Sequence, residues 1–173
     1  MSEHDSGNNE QNAGEPSNAD QLRLVSFNVG AERFAVDILR VQEINRMMEL
    51  TRVPQSPQGV KGVINLRGKI VPVLDLRNCF NMEETEHSDE SRIIVVEVRG
   101  ATLGFIVDAV HEVLRLDPGM VEPAPSVMSN ADAGYIQGVA KVDDTLVILL
   151  DLDRLVGADH LELISNMDVP AAA

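Results

Sequence analysis

The sequence predicts an all-β protein made of two small β-barrels, each of about five short strands, related by internal duplication. Three observations support this. The stretch Gly62–Leu76 recurs without a gap as Gly138–Leu152, with Gly, Val, Val, Leu, Asp and Leu in matching places. Upstream segments also recur in the same order. Most of these segments alternate apolar and polar residues with the period of a strand.

The repeat and the composition divide the chain into five segments. Residues 1–20 carry five acidic groups and no Lys or Arg, which is typical of a disordered acidic tail. We expect a first barrel over residues 21–80, an acidic linker over 81–91 and a second barrel over 92–156. Residues 157–173 would hold a short helix and a tail, and the complete folded unit would span about 21–160.

Each predicted half begins with two strands. Arg23–Val29 resembles Arg92–Val98, and each segment runs into a tight turn with a glycine. Phe34–Asp37 then matches Phe105–Asp108. The segment 37–48 fits either a strand or one apolar helical face, because Ile38, Val41 and Ile44 satisfy both spacings.

The last strand of each half is apolar on both faces. In the first copy Ile70, Leu74 and Leu76 are expected to point one way and Val71 and Val73 the other. One face would fill the core of its own barrel, and the other would be covered by the second half or by a partner.

Pro72 suggests a difference between the two halves. Proline has no N–H to donate to a ladder, so it favours an edge strand or a bulge. Its counterpart is Ile148, an ordinary strand residue. The first half is therefore expected to keep an open edge that the second half lacks.

The C-terminal region has a helix signal. Asp159 is a candidate N-cap, with Leu161, Ile164 and Met167 on one face. The long segment 117–134 before the last hairpin is rich in Pro, Ala and Ser and is expected to be a loop.

Composition disfavours several functional classes. The net charge of −14 disfavours binding to nucleic acid or insertion into an anionic membrane. We see no signal peptide and no apolar run long enough to span a bilayer. No catalytic motif is recognisable, and a lone Cys79 without an identifiable base is weak evidence for a nucleophile. The four histidines are scattered, so we expect no metal and no cofactor.

Acidic residues recur at strand ends in both copies. Each of these aspartates follows an apolar strand, which is typical of turn capping: Asp37, Asp75, Asp108 and Asp151. Asp143-Asp144 and Asp151-x-Asp153 also fit a cation site, although solvated turns are the commoner explanation for such residues.

The two hairpin tips differ. The first reads Asn65-Leu-Arg67-Gly68-Lys69, whereas the second carries Asp143-Asp144. Gly68 supplies the positive φ that a two-residue hairpin turn needs. Arg67 is either a solvated turn residue or a contact for carboxylate or carbonyl groups of a partner. Glu43 is a candidate partner within the chain that would hold Arg67 in one orientation.

Several segments together resemble the CheW family of bacterial chemotaxis coupling proteins. The resemblance is carried by Phe34–Ile44, Gly59–Arg77 with its Asn-Leu-Arg-Gly stretch, Gly104–Asp108, Val110–Leu114 and Tyr135–Gly138. It implies two packed SH3-like β-barrels and a role as a non-catalytic adaptor. It also implies two partners, namely the cytoplasmic tip of methyl-accepting chemoreceptors and the regulatory domain of the histidine kinase CheA. The adaptor would act in the cytoplasm, at the inner face of the membrane, within receptor arrays.

The resemblance also implies site residues. Receptor-contact and coupling positions of the family fall on Val41, Glu43, Gly62, Asn65, Arg67, Gly104 and Val113. Kinase-contact residues are not assigned individually, but we expect exposed apolar residues at strand ends in either barrel. Two alternatives remain open: a β-barrel or enzyme that binds a small molecule, and an adaptor of a non-flagellar chemosensory array.

Overall fold

The structure is a computed structural model that describes residues 21–124 and 134–166. The described residues are mostly β-strand. The strands are β1 (Leu22–Val29), β2 (Glu32–Asp37), β3 (Val41–Arg46), β4 (Val60–Leu66), β5 (Lys69–Asp75), β6 (Arg92–Val98), β7 (Ala101–Val107), β8 (Ala109–Leu116), β9 (Val121–Glu122), β10 (Ile136–Val142) and β11 (Thr145–Leu150). The helices are α1 (Leu76–Cys79), α2 (Leu152–Leu155) and α3 (Ala158–Ser165), with 3₁₀ turns at Ile38–Arg40 and Pro118–Met120.

The strands form two sheets. Barrel I has the order β3-β6-β7-β5-β4, and barrel II has the order β8-β1-β2-β11-β10-β9. In barrel I, Thr51 follows β3 in the chain and forms a bridge with Val63 of β4, so the segment after one edge strand reaches the other edge. In barrel II, β9 follows β8 and pairs with β10 in the same way. Each barrel therefore has five long strands and a short closing bridge, which confirms the predicted fold class.

The strand pairing corrects the predicted barrel boundaries. Barrel I occupies 41–107, and barrel II combines 22–37 with 109–150. The predicted assignment of 21–80 to one barrel and 92–156 to the other is therefore wrong. The hairpin β1–β2 joins the strands of the second copy, and the hairpin β6–β7 joins those of the first. The predicted N-terminal tail lies outside the described residues.

The predicted open edge at Pro72 is also wrong, because β5 lies inside its sheet between β7 and β4. Val63, the partner of Pro72 in β4, uses its N–H and C=O in bonds of 2.8 and 2.9 Å to Thr51. On the other side, the parallel ladder to β7 starts only at Val73. Pro72 precedes the first pair of that ladder, so its lack of an N–H breaks none of the pairs.

The segment that fitted both strand and helix contains both kinds of structure. A 3₁₀ turn over Ile38–Arg40 leads directly into β3. Asp37 caps this turn, since its carboxylate accepts the Leu39 N–H at 2.9 Å. Asp75 and Asp151 cap α1 and α2 similarly. The predicted capping role of these aspartates is confirmed.

The buried apolar side chains form three groups. Small clusters fill the two barrels: Ile64, Val71, Val73, Ile93, Val95 and Ile106 in barrel I, and Leu24, Ala35, Leu114, Leu116, Ala140, Val147 and Leu149 in barrel II. A larger cluster lies between the barrels and draws residues from both sheets and from α3. It includes a run of stacked rings, Phe27, Phe34, Phe80 and Tyr135, with successive centroids 4.7–6.1 Å apart.

The last strand of each copy takes part in two cores. Val71 and Val73 point into barrel I, whereas Leu74 belongs to the cluster between the barrels. In β11, Val147 and Leu149 point into barrel II, and Ile148 and Leu150 face the shared cluster. The predicted coverage of the second face by the other half is confirmed.

Two ion pairs lie where parallel strands end together. Because β5 runs parallel to β7, Arg77 of α1 meets Asp108, with N–O distances of 3.1 and 2.6 Å. Because β11 runs parallel to β2, Asp153 of α2 meets Arg40 at 3.1 and 2.8 Å. The hydrogen bond from Arg40 is the main cause that lowers the pKa of Asp153. The two ion pairs have the same position in their barrels, but the charges are exchanged. In barrel I the short helix carries the arginine, and in barrel II it carries the aspartate.

The C-terminal helix forms as predicted, with Leu161 and Ile164 buried. Its N-cap is Gly157, so the prediction of Asp159 is wrong by two positions, and Asp159 lies in the first turn instead. Met167 lies outside the described residues. No helix in the described segments is long and apolar enough to cross a bilayer.

We expect Gly62→Ala to lower the free energy of unfolding by about 1–3 kcal/mol, through overpacking. A Cβ on Gly62 would lie 2.6 Å from the Thr51 carbonyl oxygen, which is backbone and closes barrel I. Gly119→Ala is the control, since nothing lies within 4 Å of a Cβ there. Urea denaturation of both variants checks this, and equal stabilities would contradict it.

Candidate functional site: the basic hairpin tip of barrel I

The β4–β5 turn has both central residues in the left-handed region. Arg67 has φ 51° and Gly68 has φ 86°, as a tight two-residue hairpin turn requires. Asn65 supports this conformation, because its Oδ1 accepts the Gly68 N–H at 2.8 Å. The turn of the second copy has the same backbone, with Asp143 at 49° and Asp144 at 64°. The two tips share their geometry and differ in charge.

The hypothesis that Glu43 holds Arg67 is confirmed. Arg67 Nη2 pairs with Glu43 Oε2, and Nη1 lies 3.4 Å from Oε1. The two residues are 24 positions apart, but barrel closure places β3 beside β4. A guanidinium has five N–H donors in a rigid fork, so this pairing leaves donors free. The Arg67 side chain is 75% exposed and presents those donors to solvent.

Asn45 holds the other side of the Glu43 carboxylate. Its Nδ2 donates to Glu43 Oε1 at 2.8 Å. The hydrogen bond from Arg67 first, and that from Asn45 second, lower the pKa of Glu43 below its usual range. The same contact with Glu43 raises the pKa of Arg67. The pair is therefore charged at neutral pH, with Arg67 held in one orientation.

Asn45 is not among the residues predicted from the sequence, although a signal exists. Residues two apart in a strand point to the same side of the sheet, so Asn45 in β3 is placed to reach Glu43. We call the group of Glu43, Asn45, Asn65, Arg67 and Gly68 the tip cluster.

The structure brings only some of the predicted receptor residues together. Glu43 and Arg67 touch, and Asn65 shapes the same turn. Val41 is half-buried at the start of β3 and packs against the shared core. Val113 is 47% exposed but lies on β8 of barrel II, away from the tip cluster in the strand order.

Two predicted receptor residues are buried glycines. Gly62 lies against the closing bridge of barrel I. A Cβ on Gly104 would lie 2.9 Å from Ile93 Cγ2 and 3.3 Å from Val73 Cγ2, inside the barrel. Neither has a side chain to offer a partner, so their effect on a contact would be through the shape of barrel I.

Exposed apolar residues occur on both barrels and on α3. The large exposed hydrophobic side chains of the described segments are Leu39, Ile44, Val113, Met120, Leu146 and Leu163. Ile44 and Val113 lie at corresponding positions of β3 and β8. Leu39 and Met120 lie in 3₁₀ turns, and Leu163 lies in α3, so the prediction of strand-end apolar residues for a kinase surface stays a prediction.

Other parts of the chain offer little reactive chemistry. Burial raises the pKa of the half-buried Cys79 thiol to about 12, so the thiol is protonated at neutral pH. A cleft of about 460 Å³ between this cysteine and α3 also contains His160, whose Nε2 lies 2.8 Å from the Gln58 carbonyl oxygen. Within 21–124 and 134–166, no group of three or more His, Cys, Asp or Glu side chains could hold a metal ion.

Two packed barrels with filled interiors, one fixed basic tip and exposed aliphatic residues define a duplicated β-barrel protein suited to binding other proteins. Comparison with known proteins gives the family. The family model described as "CheW-like domain" matches residues 23–160, so the chain belongs to the CheW-like family.

Individual relatives agree with this assignment. The chain is 33% identical over 141 residues to a "Chemotaxis protein CheW" of Klebsiella aerogenes, covering 82% of this chain and 85% of that protein. It is 30% identical over 154 residues to the Treponema pallidum "Chemotaxis protein CheW", covering 87% and 91%. Among solved structures, the "scaffolding protein TtCheW from Thermoanaerobacter tengcongensis" matches with a TM-score of 0.74 and 38% identity, over 81% of this chain and 95% of that one.

We expect Arg67→Ala to raise the pKa of the Glu43 carboxyl towards its usual value, and Asn45→Ala to raise it less. The lowered pKa means that the ion pair contributes stability above the carboxyl's unfolded pKa, and that this is lost as the pH falls through the folded-state pKa. Carbon-13 NMR titration of the side-chain carboxyl measures both shifts. An unchanged Glu43 pKa in Arg67→Ala would contradict the assigned cause.

Proposed function

We propose that this protein is a non-catalytic chemotaxis adaptor that binds the cytoplasmic tip of methyl-accepting chemoreceptors and the regulatory domain of the histidine kinase CheA. The observation that carries the proposal is the fixed, exposed Arg67 on an acidic protein of the CheW-like family. The adaptor would act at the cytoplasmic face of the membrane, within receptor arrays.

The receptor would engage the tip cluster. Arg67 offers guanidinium donors that Glu43 does not use, in an orientation that Glu43 and Asn45 limit. Holding a long side chain in place before binding lowers the entropy lost in the complex. Among the remaining predicted receptor residues, Val113 would form a separate apolar contact on barrel II, and Val41 would support β3 from the shared core. Gly62 and Gly104 would preserve the shape of barrel I.

The kinase would use a different surface. Exposed aliphatic side chains such as Leu39 and Leu146 lie on barrel segments outside the tip cluster. Signalling interfaces are often modest in area, so a few such residues with a polar rim are sufficient. Two separate surfaces allow both partners to bind at once.

A rigid body fits this role. The barrels share one apolar cluster, with ion pairs at the ends of their parallel strands. A shift of the receptor at one surface would therefore move the whole adaptor relative to the kinase. Coupling also requires that the contacts differ between the signalling states of the receptor.

Titration calorimetry with the kinase regulatory domain and with a soluble receptor-tip fragment tests the proposal. We expect Arg67→Ala to weaken binding to the receptor fragment by about tenfold or more, the size of a lost charge-assisted hydrogen bond. Kinase binding should not change. The control is Arg154→Ala, which removes a similarly exposed arginine paired with Asp151.

The melting temperature separates a contact from a structural role. It should stay within about 2 °C in Arg67→Ala, because the residue is exposed. A large fall in melting temperature would favour a structural role for Arg67. If neither partner bound the folded chain, the adaptor proposal would be refuted.

The charge-swap pair Glu43→Arg and Arg67→Glu gives a second test. Each single change places like charges together, and the double change restores an ion pair with reversed polarity. We expect each single variant to lose stability and the double variant to regain part of it. Receptor binding should stay low in the double variant, since the outward charge is reversed. Wild-type receptor affinity in the double variant would contradict a direct contact with Arg67.

A further inference from the structure

Two pairs of arginines face each other across neighbouring strands. Arg46 of β3 lies directly opposite Arg92 of β6, and Arg23 of β1 lies directly opposite Arg115 of β8. The chain has 14 Lys and Arg residues against 28 Asp and Glu, so four of its few cations are placed beside another cation. Like charges directly opposite each other destabilise a sheet. Fold stability therefore does not explain this arrangement.

These four arginines have no ion-pair partner among the described residues. None of the ion pairs in 21–124 and 134–166 includes any of the four. Arg92 is held by backbone, since its Nη1 donates to the Asp89 and Ser91 carbonyl oxygens at 2.8 Å each. Charged donors on both pairs thus remain available to an outside anion.

The two pairs are equivalent by the internal duplication. Arg92, the first residue of β6, corresponds to Arg23, the second residue of β1, and Arg46 occupies in β3 the place of Arg115 in β8. Each pair has an exposed aliphatic residue two positions before it on the same side of the strand, Ile44 at 40% and Val113 at 47% exposure. Each barrel therefore carries one apolar residue beside two cations.

A cleft adjoins the pair on barrel I. It has a volume of about 450 Å³ and is lined by Arg46, Met47, Ser88, Asp89, Ser91 and Arg92. The serine hydroxyls add polar groups, and Asp89 is the acidic side chain among the lining residues. Its side chain makes no ion pair with either arginine, so both cations remain open to a ligand.

We propose that these arginine patches, Ile44 with Arg46 and Arg92 on barrel I and Val113 with Arg115 and Arg23 on barrel II, bind acidic protein segments that carry an aliphatic residue. Carboxylates of the segment would bind the paired guanidiniums, which suit planar two-oxygen groups. The aliphatic residue would cover Ile44 or Val113. The barrel I patch contains none of the residues assigned to the receptor, so its test is independent of the proposed function. The barrel II patch shares Val113 with the receptor residues and rests on that function to this extent.

The first test follows the arginine side chains of the full chain by NMR of their Nε–Hε groups. The probe is the acetylated and amidated peptide Glu-Leu-Asp-Glu, with Gln-Leu-Asn-Gln as its uncharged control. We expect the signals of Arg46, Arg92, Arg23 and Arg115 to shift with the acidic peptide and to stay in place with the control peptide. Equal shifts with both peptides would overturn the proposal.

Variants then separate the patch from the overall charge. The double substitution Arg46→Gln with Arg92→Gln should weaken acidic peptide binding at barrel I by about tenfold or more. Binding at barrel II should be unchanged. The control Arg52→Gln removes an exposed cation outside the paired strands, and it should retain wild-type binding. An equal loss in the control and in the double variant would overturn the proposal.

Two further readouts complete the test. Because the pairs repel, Arg46→Gln should not lower the melting temperature, whereas the loss of an arginine needed for folding would lower it. Inorganic phosphate should shift the arginine signals only at higher concentration than the acidic peptide does. If phosphate saturated the arginine signals at a lower concentration than the peptide does, the preferred ligand would be a small oxyanion. That result would overturn the proposal.

Discussion

The shared apolar core between the barrels is the feature on which the rest of the structure depends. It draws residues from β1, β2, β6 and β7, from β5 and β11, and from α3. Each barrel on its own has only a small aliphatic cluster. A small core offsets little chain entropy, so we expect neither barrel to be stable alone. We therefore expect the two barrels to fold as one unit.

The exchange of hairpins between the two sequence copies also holds the two barrels together. Barrel I is inserted into barrel II, with β1–β2 on one side of the insertion and β8–β11 on the other. The parallel pairs β5–β7 and β2–β11 join strands of different copies and bring Arg77 to Asp108 and Arg40 to Asp153. Pairing and ion contacts thus fix the orientation of the tip relative to the other surfaces. An adaptor needs such a fixed relation to transmit a displacement.

The duplication separates features that the two copies share from features that differ between them. Both tips have the same left-handed backbone, but only the first has Asn65 and Arg67. Closure of barrel I then brings Arg67 to Glu43, and this ion pair limits the orientation of the exposed Arg67 side chain. The arginine patches show the opposite case, a feature that both copies carry although it opposes folding. The tip cluster thus lies where the two copies differ, and the arginine patches lie where they agree.

The sequence alone determined what depends on near neighbours. Alternation defined the strands, two-sided apolar patterns in β5 and β11 indicated two cores, and Gly68 indicated the turn. The resemblance to the CheW family and the Glu43–Arg67 pair also came from the sequence. Only the tertiary structure decided which barrel each hairpin joins. The two copies present nearly the same apolar faces, so local pattern cannot distinguish β1 pairing with β8 from β1 pairing with β3. The same limit applied to Pro72. Its strand β5 lies inside the sheet because it pairs with β7, which belongs to the other half of the sequence.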